Sequence, residues 1–252
     1  MPVIRFAATV AYDGKGFAGS QKQPKVRTVQ AELETAAESL FGAVTRVDLA
    51  GRTDSGVHAT GQVAAFTAET RLDADTVRKA LNAHLPADVS VRTVRAAGED
   101  FDPRRHAVRR WYRYIVLNTP SRMPLERGIS WHVTGQVDVE RMHDAAQSLV
   151  GEHDFRAFTG PLEEGRSSIR TVFQAGWSRQ ECRLVFDIQA NAFLRRMVRR
   201  IVGALMQVGR GSMTKKEFVQ QLQVAEGDTM GPSAPAHGLA LQQVWYDERD
   251  RT

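Results

Sequence analysis

The order of strand-like and helix-like segments constrains the fold of this chain more than any other feature of its sequence. Apolar and polar residues alternate from Val3 to Tyr12 as in a half-buried strand, and apolar residues recur at helical spacing after Thr28, a residue type that favours helix N-caps. Further patterns in the first half predict strands at residues 44–50, 62–67 and 89–94 and a helix at 74–85. This order, β-α-β-β-α-β, is the split arrangement of ferredoxin-like domains.

The second half of the chain repeats this order less clearly. Its patterns predict strands at residues 107–117, 171–177, 182–189 and 239–246 and helices at 139–150, 193–208 and 215–223. We therefore predict an α+β fold of two ferredoxin-like, or RRM-like, β-α-β-β-α-β halves, residues 1–103 and 104–252. We expect their antiparallel sheets to lie side by side and to leave a central cleft, the kind of groove in which ligands usually bind.

Several classes of protein are excluded by what the sequence lacks. No run approaches the roughly 18 apolar residues of a membrane span, and the N-terminus has no signal-peptide core, so we expect a cytoplasmic protein. Cys182 is the only cysteine, which excludes an internal disulfide and a cysteine zinc cluster. Its place in a strand-like run predicts a small buried side chain. No two histidines have the spacing of helical metal ligands, and we expect no metal site.

Two basic clusters account for much of the net charge of +5. One surrounds an aromatic trio and contains Arg104, Arg105, His106, Arg109, Arg110 and Arg113, and the other places Arg195, Arg196, Arg199 and Arg200 on the predicted helix 193–208. Arginines interleaved with aromatic residues favour a polyanion with stackable bases. A solvated surface explains either cluster alone equally well, but the two together, beside a glycine-rich loop, favour nucleic acid.

That loop, LAGRTDSGVHATGQVAAF at residues 49–66, carries Arg52 and Asp54 between Gly51 and Gly56. Glycines permit positive φ and a close approach of ligand to backbone, so a carboxylate displayed there can reach a substrate that a strand residue cannot. An Asx-turn, in which Asp54 only bonds its own backbone, is the simpler explanation of the loop taken alone. The neighbouring arginine and the basic clusters favour the functional interpretation.

The loop segment GRTDSGVHA, residues 51–59, resembles the signature of the tRNA pseudouridine synthase A family, and the resemblance covers essentially the whole chain. The other matching positions are Tyr12-Asp13-Gly14 with Phe17, Gly19, Gln21 and Gln23; Thr28-Val29-Gln30 with Leu33-Glu34; Arg110-Trp111-Tyr112-Arg113-Tyr114-Ile115; His153-Asp154-Phe155 with Phe158; Phe193-Leu194 with Met197-Val198-Arg199; Gly203; and Ala236 with Gly238-Leu239 and Leu241. The chain departs from the family at Ser20, where tryptophan is usual, at Ser55, and at Arg195-Arg196.

The resemblance implies isomerisation of uridine to pseudouridine at positions 38 to 40, in the anticodon arm of tRNA, without a metal or organic cofactor. Uracil must leave its ribose through N1, turn over and reattach through C5. Asp54 is the expected catalytic carboxylate, attacking base or sugar or removing a sugar proton. An arginine held close favours its ionised form, and Arg199 is the family-matched partner, whereas Arg52 can instead hold RNA phosphate or flank the turn.

The remaining site residues are expected around an extracted nucleotide, because the reacting atoms are out of reach inside a stem. Tyr112 matches the family's active-site tyrosine, suited to stack on the base and to take the C5 proton, although core packing would be the first interpretation of a strand aromatic. Leu239 or Leu241 is expected to form an apolar wall under the uracil. For RNA contacts the candidates are Arg110, Arg195, Arg196 and His58, the last with a local backbone bond as the alternative.

Two other functions fit parts of the sequence. A non-catalytic RNA-binding protein could be built from two RRM-like halves, although no RNP-type aromatic motif lies on the expected strands. An N-glycoside hydrolase could use the same aspartate to release the base. The family resemblance also implies a homodimer in which one tRNA touches both subunits.

Overall fold

The computed structural model describes residues 1–162, 165–223 and 232–247. The predicted α+β class is confirmed. The strands are β1 Val3–Tyr12, β2 Asp48–Leu49, β3 His58–Glu69, β4 Val89–Ala97, β5 Ala107–Asn118, β6 Trp131–Val133, β7 Gly151–Asp154, β8 Ile169–Gln180, β9 Arg183–Ala190 and β10 Leu239–Tyr246. The helices are α1 Val29–Phe41, α2 Ala74–His84, α3 Val139–Gln147, α4 Met197–Gly209 and α5 Lys215–Gln223, with short 3-10 turns at Gly14–Gly16, Arg156–Phe158 and Ala236–Gly238.

The chain divides into two compact units. The first unit contains residues 1–108 and 241–252, and the second unit contains residues 109–240. None of the described helices is both long and apolar enough to cross a membrane.

The strands of the first unit follow the order β4-β1-β3-β10, and the short β2 also pairs with β3. The pairs among β4, β1, β3 and β2 are all antiparallel, which is the arrangement of a ferredoxin-like sheet. In the register of β1 and β3, Phe6 lies opposite Phe66, and their rings are 5.5 Å apart. Helix α1 begins as predicted, because the Thr28 hydroxyl accepts a hydrogen bond from the Ala31 amide at 3.3 Å. It ends at Gly42, whose φ of 69° is left-handed.

The sheet of the second unit has the strand order β5-β9-β8-β7, again antiparallel, with the short β6 added parallel to β5. Alternate residues of β5 are buried, among them Tyr112, Tyr114 and Val116, and they lie opposite the buried residues Ile188, Phe186 and Leu184 of β9. This buried face of the sheet therefore carries the core of the second unit, as period-two alternation requires.

Three predicted segments are shorter in the structure: the helix predicted at 139–150 ends at Gln147, and two others are shortened for identifiable reasons. The strand predicted at 44–50 is reduced to Asp48–Leu49, because the Val47 backbone is bonded to helix α1: its amide donates to Glu34 Oε1, and its carbonyl accepts from Gln30 Nε2. The helix predicted at 193–208 begins only at Met197, because Arg196 has a left-handed backbone with φ 61° and ψ 2°. The prediction that Arg195 and Arg196 lie on this helix is therefore wrong.

The prediction of a buried strand position for Cys182 is also wrong. Gln180 pairs with Arg183, so Glu181 and Cys182 form the two-residue connection between β8 and β9. Glu181 has a φ of 54°, and Cys182 is half-buried. The short strands β6 and β7 were not predicted, since three or four residues are too few to show a period.

Candidate active site

Asp54 lies in the first unit, in the loop between β2 and β3, and is partly buried, whereas Arg52 is exposed. The Val57 amide donates a 3.1 Å hydrogen bond to the Asp54 carbonyl oxygen, which closes a tight turn. Gly56, the third residue of this turn, has a φ of 79°, while Ser55 before it is not left-handed, as in a type II turn. Gly56 therefore adopts the positive φ that this turn requires, a conformation that is unfavourable for a residue with a Cβ.

Thr53, the residue before Asp54, is held at each of its polar atoms. Its amide donates to Ser20 Oγ at 2.8 Å, and its carbonyl accepts from the Ser20 amide at 3.1 Å. Its hydroxyl lies 2.9 Å from the Tyr12 hydroxyl. Burial raises the pKa of Tyr12, an effect that its hydrogen bonds to Thr53 and Gln62 partly offset, so this phenol stays protonated. Gln62 Nε2 also donates to the Gly51 carbonyl at 2.8 Å.

The far side of the same loop packs against the turn after β1. Ser55 Oγ donates to the Phe17 carbonyl at 3.0 Å. A Cβ at Gly14 would lie only 2.1 Å from the Val57 carbonyl oxygen, so the two backbones touch directly. His58 is buried, and its Nδ1 accepts from the Gly14 amide at 3.1 Å, a backbone bond to a residue 44 positions away rather than the local bond within the loop that was the alternative to RNA contact. The Asp13 carboxylate lies 3.1 Å from the same nitrogen.

Tyr112 lies in the second unit, on the buried face of β5. It is 7% exposed, and its ring meets Phe193 edge-on at a centroid distance of 5.0 Å. Two residues further along the same face, the Tyr114 hydroxyl donates to the Pro235 carbonyl at 2.8 Å. A Cβ at Gly238 would lie 2.5 Å from the Tyr114 ring, so this turn before β10 packs closely on the tyrosine.

Arg199 lies in the first turn of α4. Its Nε donates to the Ala234 carbonyl at 2.8 Å, and the Ala234 amide donates back to the Arg199 carbonyl at 3.0 Å. Burial raises the pKa of Tyr114, and the positive charge of Arg199 offsets part of that rise. The charge of Arg199 therefore acts on Tyr114, which shares the buried face of β5 with Tyr112.

Arg195 and Arg196 are exposed and directly precede α4. The Arg195 carbonyl accepts from the Thr159 hydroxyl at 3.1 Å, and Arg196 is the N-cap residue, whose carbonyl accepts from the Arg200 amide at 3.0 Å. Burial lowers the pKa of Arg200, and the charge of Arg196 lowers it further. The two arginines therefore lie at the positive end of the helix dipole rather than along a helix face.

The remaining predicted residues are buried. Arg110 is 8% exposed, and its Nη1 donates to the Asn191 carbonyl at 2.6 Å. Leu239 and Leu241 are buried on one face of β10, Leu239 in the second unit and Leu241 in the first. Among the described residues no group of three or more His, Cys, Asp and Glu side chains has the arrangement to hold a metal ion.

Sequence reasoning missed which residues fix the loop: Thr53 within it contacts Tyr12 and Ser20, and Gln62 contacts Tyr12. Tyr12 and Ser20 stood out in the sequence only as a family match and a family departure. The sequence shows a run of polar residues next to the predicted strands. That run predicts polar contacts in the loop, but it does not predict which of these residues form hydrogen bonds with one another.

Comparison with known proteins shows which family the sequence of this chain matches. The family model described as tRNA pseudouridine synthase matches residues 8–104 and 145–247. A tRNA pseudouridine synthase A of Chloroflexus aurantiacus is 44% identical over 247 residues, covering 95% of this chain and 88% of its own. The enzyme of that name from Shewanella amazonensis is 42% identical over 252 residues, covering 97% and 94%.

Among solved structures, a Cbf5-Nop10-Gar1 complex matches 79% of this chain and 54% of its own, with 12% identity and a TM-score of 0.33, a likeness too weak to support a conclusion. The sequence comparisons are decisive because they extend over nearly the full length of both partners. This chain belongs to the tRNA pseudouridine synthase family.

Proposed function

We propose that this enzyme converts uridine to pseudouridine at positions 38 to 40, in the anticodon arm of tRNA, with Asp54 as the catalytic carboxylate. The observation that carries the proposal is that the backbone at Asp54 is fixed. Asp54 lies in a tight turn, and the residue before it, Thr53, is hydrogen-bonded at its amide, carbonyl and hydroxyl. A carboxylate that must meet one atom of a nucleotide needs such a fixed backbone. Family membership supplies the tRNA substrate and the isomerisation.

The reaction breaks the bond from N1 of uracil to C1′ of the ribose and forms a bond from C5 to C1′. The C5 proton is lost, and N1 gains one, so atoms and charge balance without a cofactor. Asp54 assists bond cleavage by attacking the base or the sugar, or by removing a sugar proton. We propose that Arg199 keeps this carboxylate charged and directed, whereas Arg52 holds RNA phosphate or flanks the turn.

Extraction of the target nucleotide costs a few kcal/mol of stacking, which an aromatic ring can partly restore. We propose that Tyr112 stacks on the everted uracil and takes the C5 proton, with Leu239 or Leu241 as the apolar wall. The edge-on contact of Tyr112 with Phe193 supports this, since it fixes the orientation of the phenol ring.

For the RNA backbone we propose contacts from Arg52, Arg195 and Arg196, the three exposed residues of the predicted set. A phosphate beside Arg195 and Arg196 would also meet the N-terminus of α4, where the helix dipole attracts anions. Arg110 and His58 are proposed as further contacts, although both are buried in the free protein.

The test compares wild type, Asp54→Asn and Asp75→Asn on an unmodified tRNA transcript. Asp75→Asn is the matched control, an exposed carboxylate on helix α2. Pseudouridine is mapped by chemical labelling, and tRNA binding is measured in parallel. We expect wild type and Asp75→Asn to modify positions 38 to 40, and Asp54→Asn to bind within a few-fold of wild type without forming product.

Three outcomes contradict the proposal. Turnover by Asp54→Asn removes the carboxylate from the chemistry. Loss of uracil mass from the RNA, in place of unchanged mass, indicates a glycoside hydrolase. Binding without any product from wild type indicates a non-catalytic RNA-binding protein.

The finer predictions from the sequence belong to the same proposal. A homodimer is expected, with one tRNA touching both subunits, and light scattering coupled to size exclusion measures it. The division of the chain at residues 103 and 104 and a cytoplasmic location also stay predictions.

A further inference from the structure

Ser20 is a fully buried residue that joins helix α1 to the loop carrying Asp54. It has no exposed surface, and it makes hydrogen bonds in both directions. Its Oγ accepts from the Thr53 amide at 2.8 Å, and its amide donates to the Thr53 carbonyl at 3.1 Å. On the other side its carbonyl accepts from the Gln30 amide, in the first turn of α1, at 2.9 Å.

The residue before it shows how tightly this segment packs on the loop. Gly19 has a φ of 110°, and a Cβ built there would lie 2.9 Å from the Thr53 carbonyl oxygen. The Gly19 carbonyl also accepts from the Val29 amide at 3.4 Å. The segment of Gly19 and Ser20 is therefore held between the start of α1 and the backbone at Thr53, with little space for either to shift.

The hydroxyl of Ser20 is the hydrogen-bond acceptor for the Thr53 amide, which has no strand partner. Thr53 lies outside β2 and β3, so its amide has no ladder acceptor there, and a buried amide without an acceptor is strongly unfavourable. Ser20 Oγ supplies that acceptor, and the neighbouring bond between its amide and the Thr53 carbonyl holds the same residue from its other end.

We propose that Ser20 is a positioning residue for the reaction: it fixes the backbone of Thr53 and thereby the direction in which Asp54 projects. The inference rests on the proposed role of Asp54. Asp54 follows Thr53 directly, so any rotation about the Thr53 backbone displaces its carboxylate. A displacement near 1 Å from the productive geometry lowers a rate by on the order of 100-fold.

The test is Ser20→Ala, with Ser39→Ala as the matched control. Ser39 is exposed on α1, and its hydroxyl bonds only within its own helix, to the Thr35 carbonyl. We expect kcat of Ser20→Ala for pseudouridine formation to fall about 10- to 100-fold. KM and the Kd for tRNA should stay within about twofold of wild type, because the hydrogen bonds of Ser20 go to Thr53 and Gln30, neither of which is a proposed RNA contact.

A second measurement reports on the loop itself. Amide hydrogen exchange at Thr53 should accelerate in Ser20→Ala and stay at the wild-type rate in Ser39→Ala. Ser20→Cys keeps the approximate size of the side chain and a weak acceptor, so its kcat and its Thr53 exchange should lie between those of wild type and Ser20→Ala. This variant also keeps the proposal testable if Ser20→Ala does not fold.

The results separate this inference from the proposed function. Wild-type kcat in Ser20→Ala and Ser20→Cys, while Asp54→Asn is inactive, overturns the role of Ser20 and leaves Asp54 in place. A fall in kcat without faster amide exchange at Thr53 also overturns it. So does a fall in kcat that is accompanied by a rise in KM of the same factor. Absence of product from wild type contradicts the proposed function instead.

Discussion

Arg110 Nη1 donates a 2.6 Å hydrogen bond to the carbonyl oxygen of Asn191, 81 residues away along the chain. Asn191 directly follows strand β9, and the segment after it leads to Arg195, Arg196 and the start of α4. A buried guanidinium therefore fixes the path of the segment that carries the exposed basic residues. This gives Arg110 a structural role in the free protein, whatever it contacts when RNA is bound.

We expect Arg110→Gln to lower the free energy of unfolding by about 1.5–3 kcal/mol, the range for hydrogen bonds of charged groups. Urea unfolding measures it, and the exposed neighbour Arg109→Gln should change stability by less than about 1 kcal/mol. Because Arg110 is also proposed to contact the RNA backbone, the slope of log Kd for tRNA against log salt should fall by about one unit. An unchanged slope would leave Arg110 with its structural role alone.

Tyr112→Phe should leave the Kd for tRNA near wild type and lower kcat about 100-fold or more, because the ring still stacks but no longer accepts a proton. Single-turnover pseudouridine formation measures the rate. Tyr246→Phe is the matched control: it deletes a hydroxyl that donates to the Pro103 carbonyl, so it should affect stability and not kcat. Equal rates for Tyr112→Phe and wild type would reduce Tyr112 to a stacking surface.

Arg195→Gln and Arg196→Gln should each weaken tRNA binding and lower its salt slope by roughly one unit for every phosphate that the side chain neutralises in the wild-type complex. Arg210→Gln, at the C-terminal end of the same helix α4, is the control and should leave the slope unchanged. Filter binding over a range of salt concentrations gives the slopes. If all three variants share the wild-type slope, Arg195 and Arg196 are solvated surface residues.

The ion pair of Arg27 and Asp88 should make stability depend on pH. Two hydrogen bonds, at 2.7 and 2.8 Å, join the side chains, and Arg27 lowers the pKa of Asp88. A carboxyl with a lowered folded-state pKa stabilises the fold above its unfolded pKa, about 3.9, and that contribution is lost as the pH falls through the folded value.

Asp88→Asn should therefore lower stability near pH 7 by about 0.2–1 kcal/mol, since the pair is partly exposed. The difference from wild type should shrink below about pH 4. Urea unfolding at several pH values measures it, with Asp100→Asn as an exposed control. A difference that is independent of pH would exclude this ion pair as its cause.

Gly14→Ala should be destabilising by about 1–3 kcal/mol, because its new methyl group has no space beside the Val57 carbonyl. It should also lower kcat, since that carbonyl belongs to the turn of Asp54. Gly51→Ala is the matched control in the same loop: no atom lies within 4 Å of its Cβ position, and it has no positive φ, so stability should change by less than about 0.5 kcal/mol. Equal stabilities of the two variants would contradict the close backbone contact.

The sequence by itself determined the elements whose signals are local. Thr28 caps α1 as its side-chain chemistry predicts, and the bounds of β1, α5 and β10 agree with the apolar periods. The order of these elements predicted the α+β fold and the ferredoxin-like sheet of the first unit. The motif around Asp54 predicted the family, because a turn that displays a carboxylate needs particular residues at adjacent positions.

Only the tertiary structure decided what depends on contacts between distant residues. Val47 bonds to α1 rather than extending β2. Arg196 adopts a left-handed backbone at a position where the apolar periodicity of the sequence predicted a helix. Ser20 meets Thr53 across 33 residues of chain, which no local pattern records. The physical reason is that periodicity reports which face of an element is apolar, whereas the partner of a buried polar atom is fixed only when the whole unit packs.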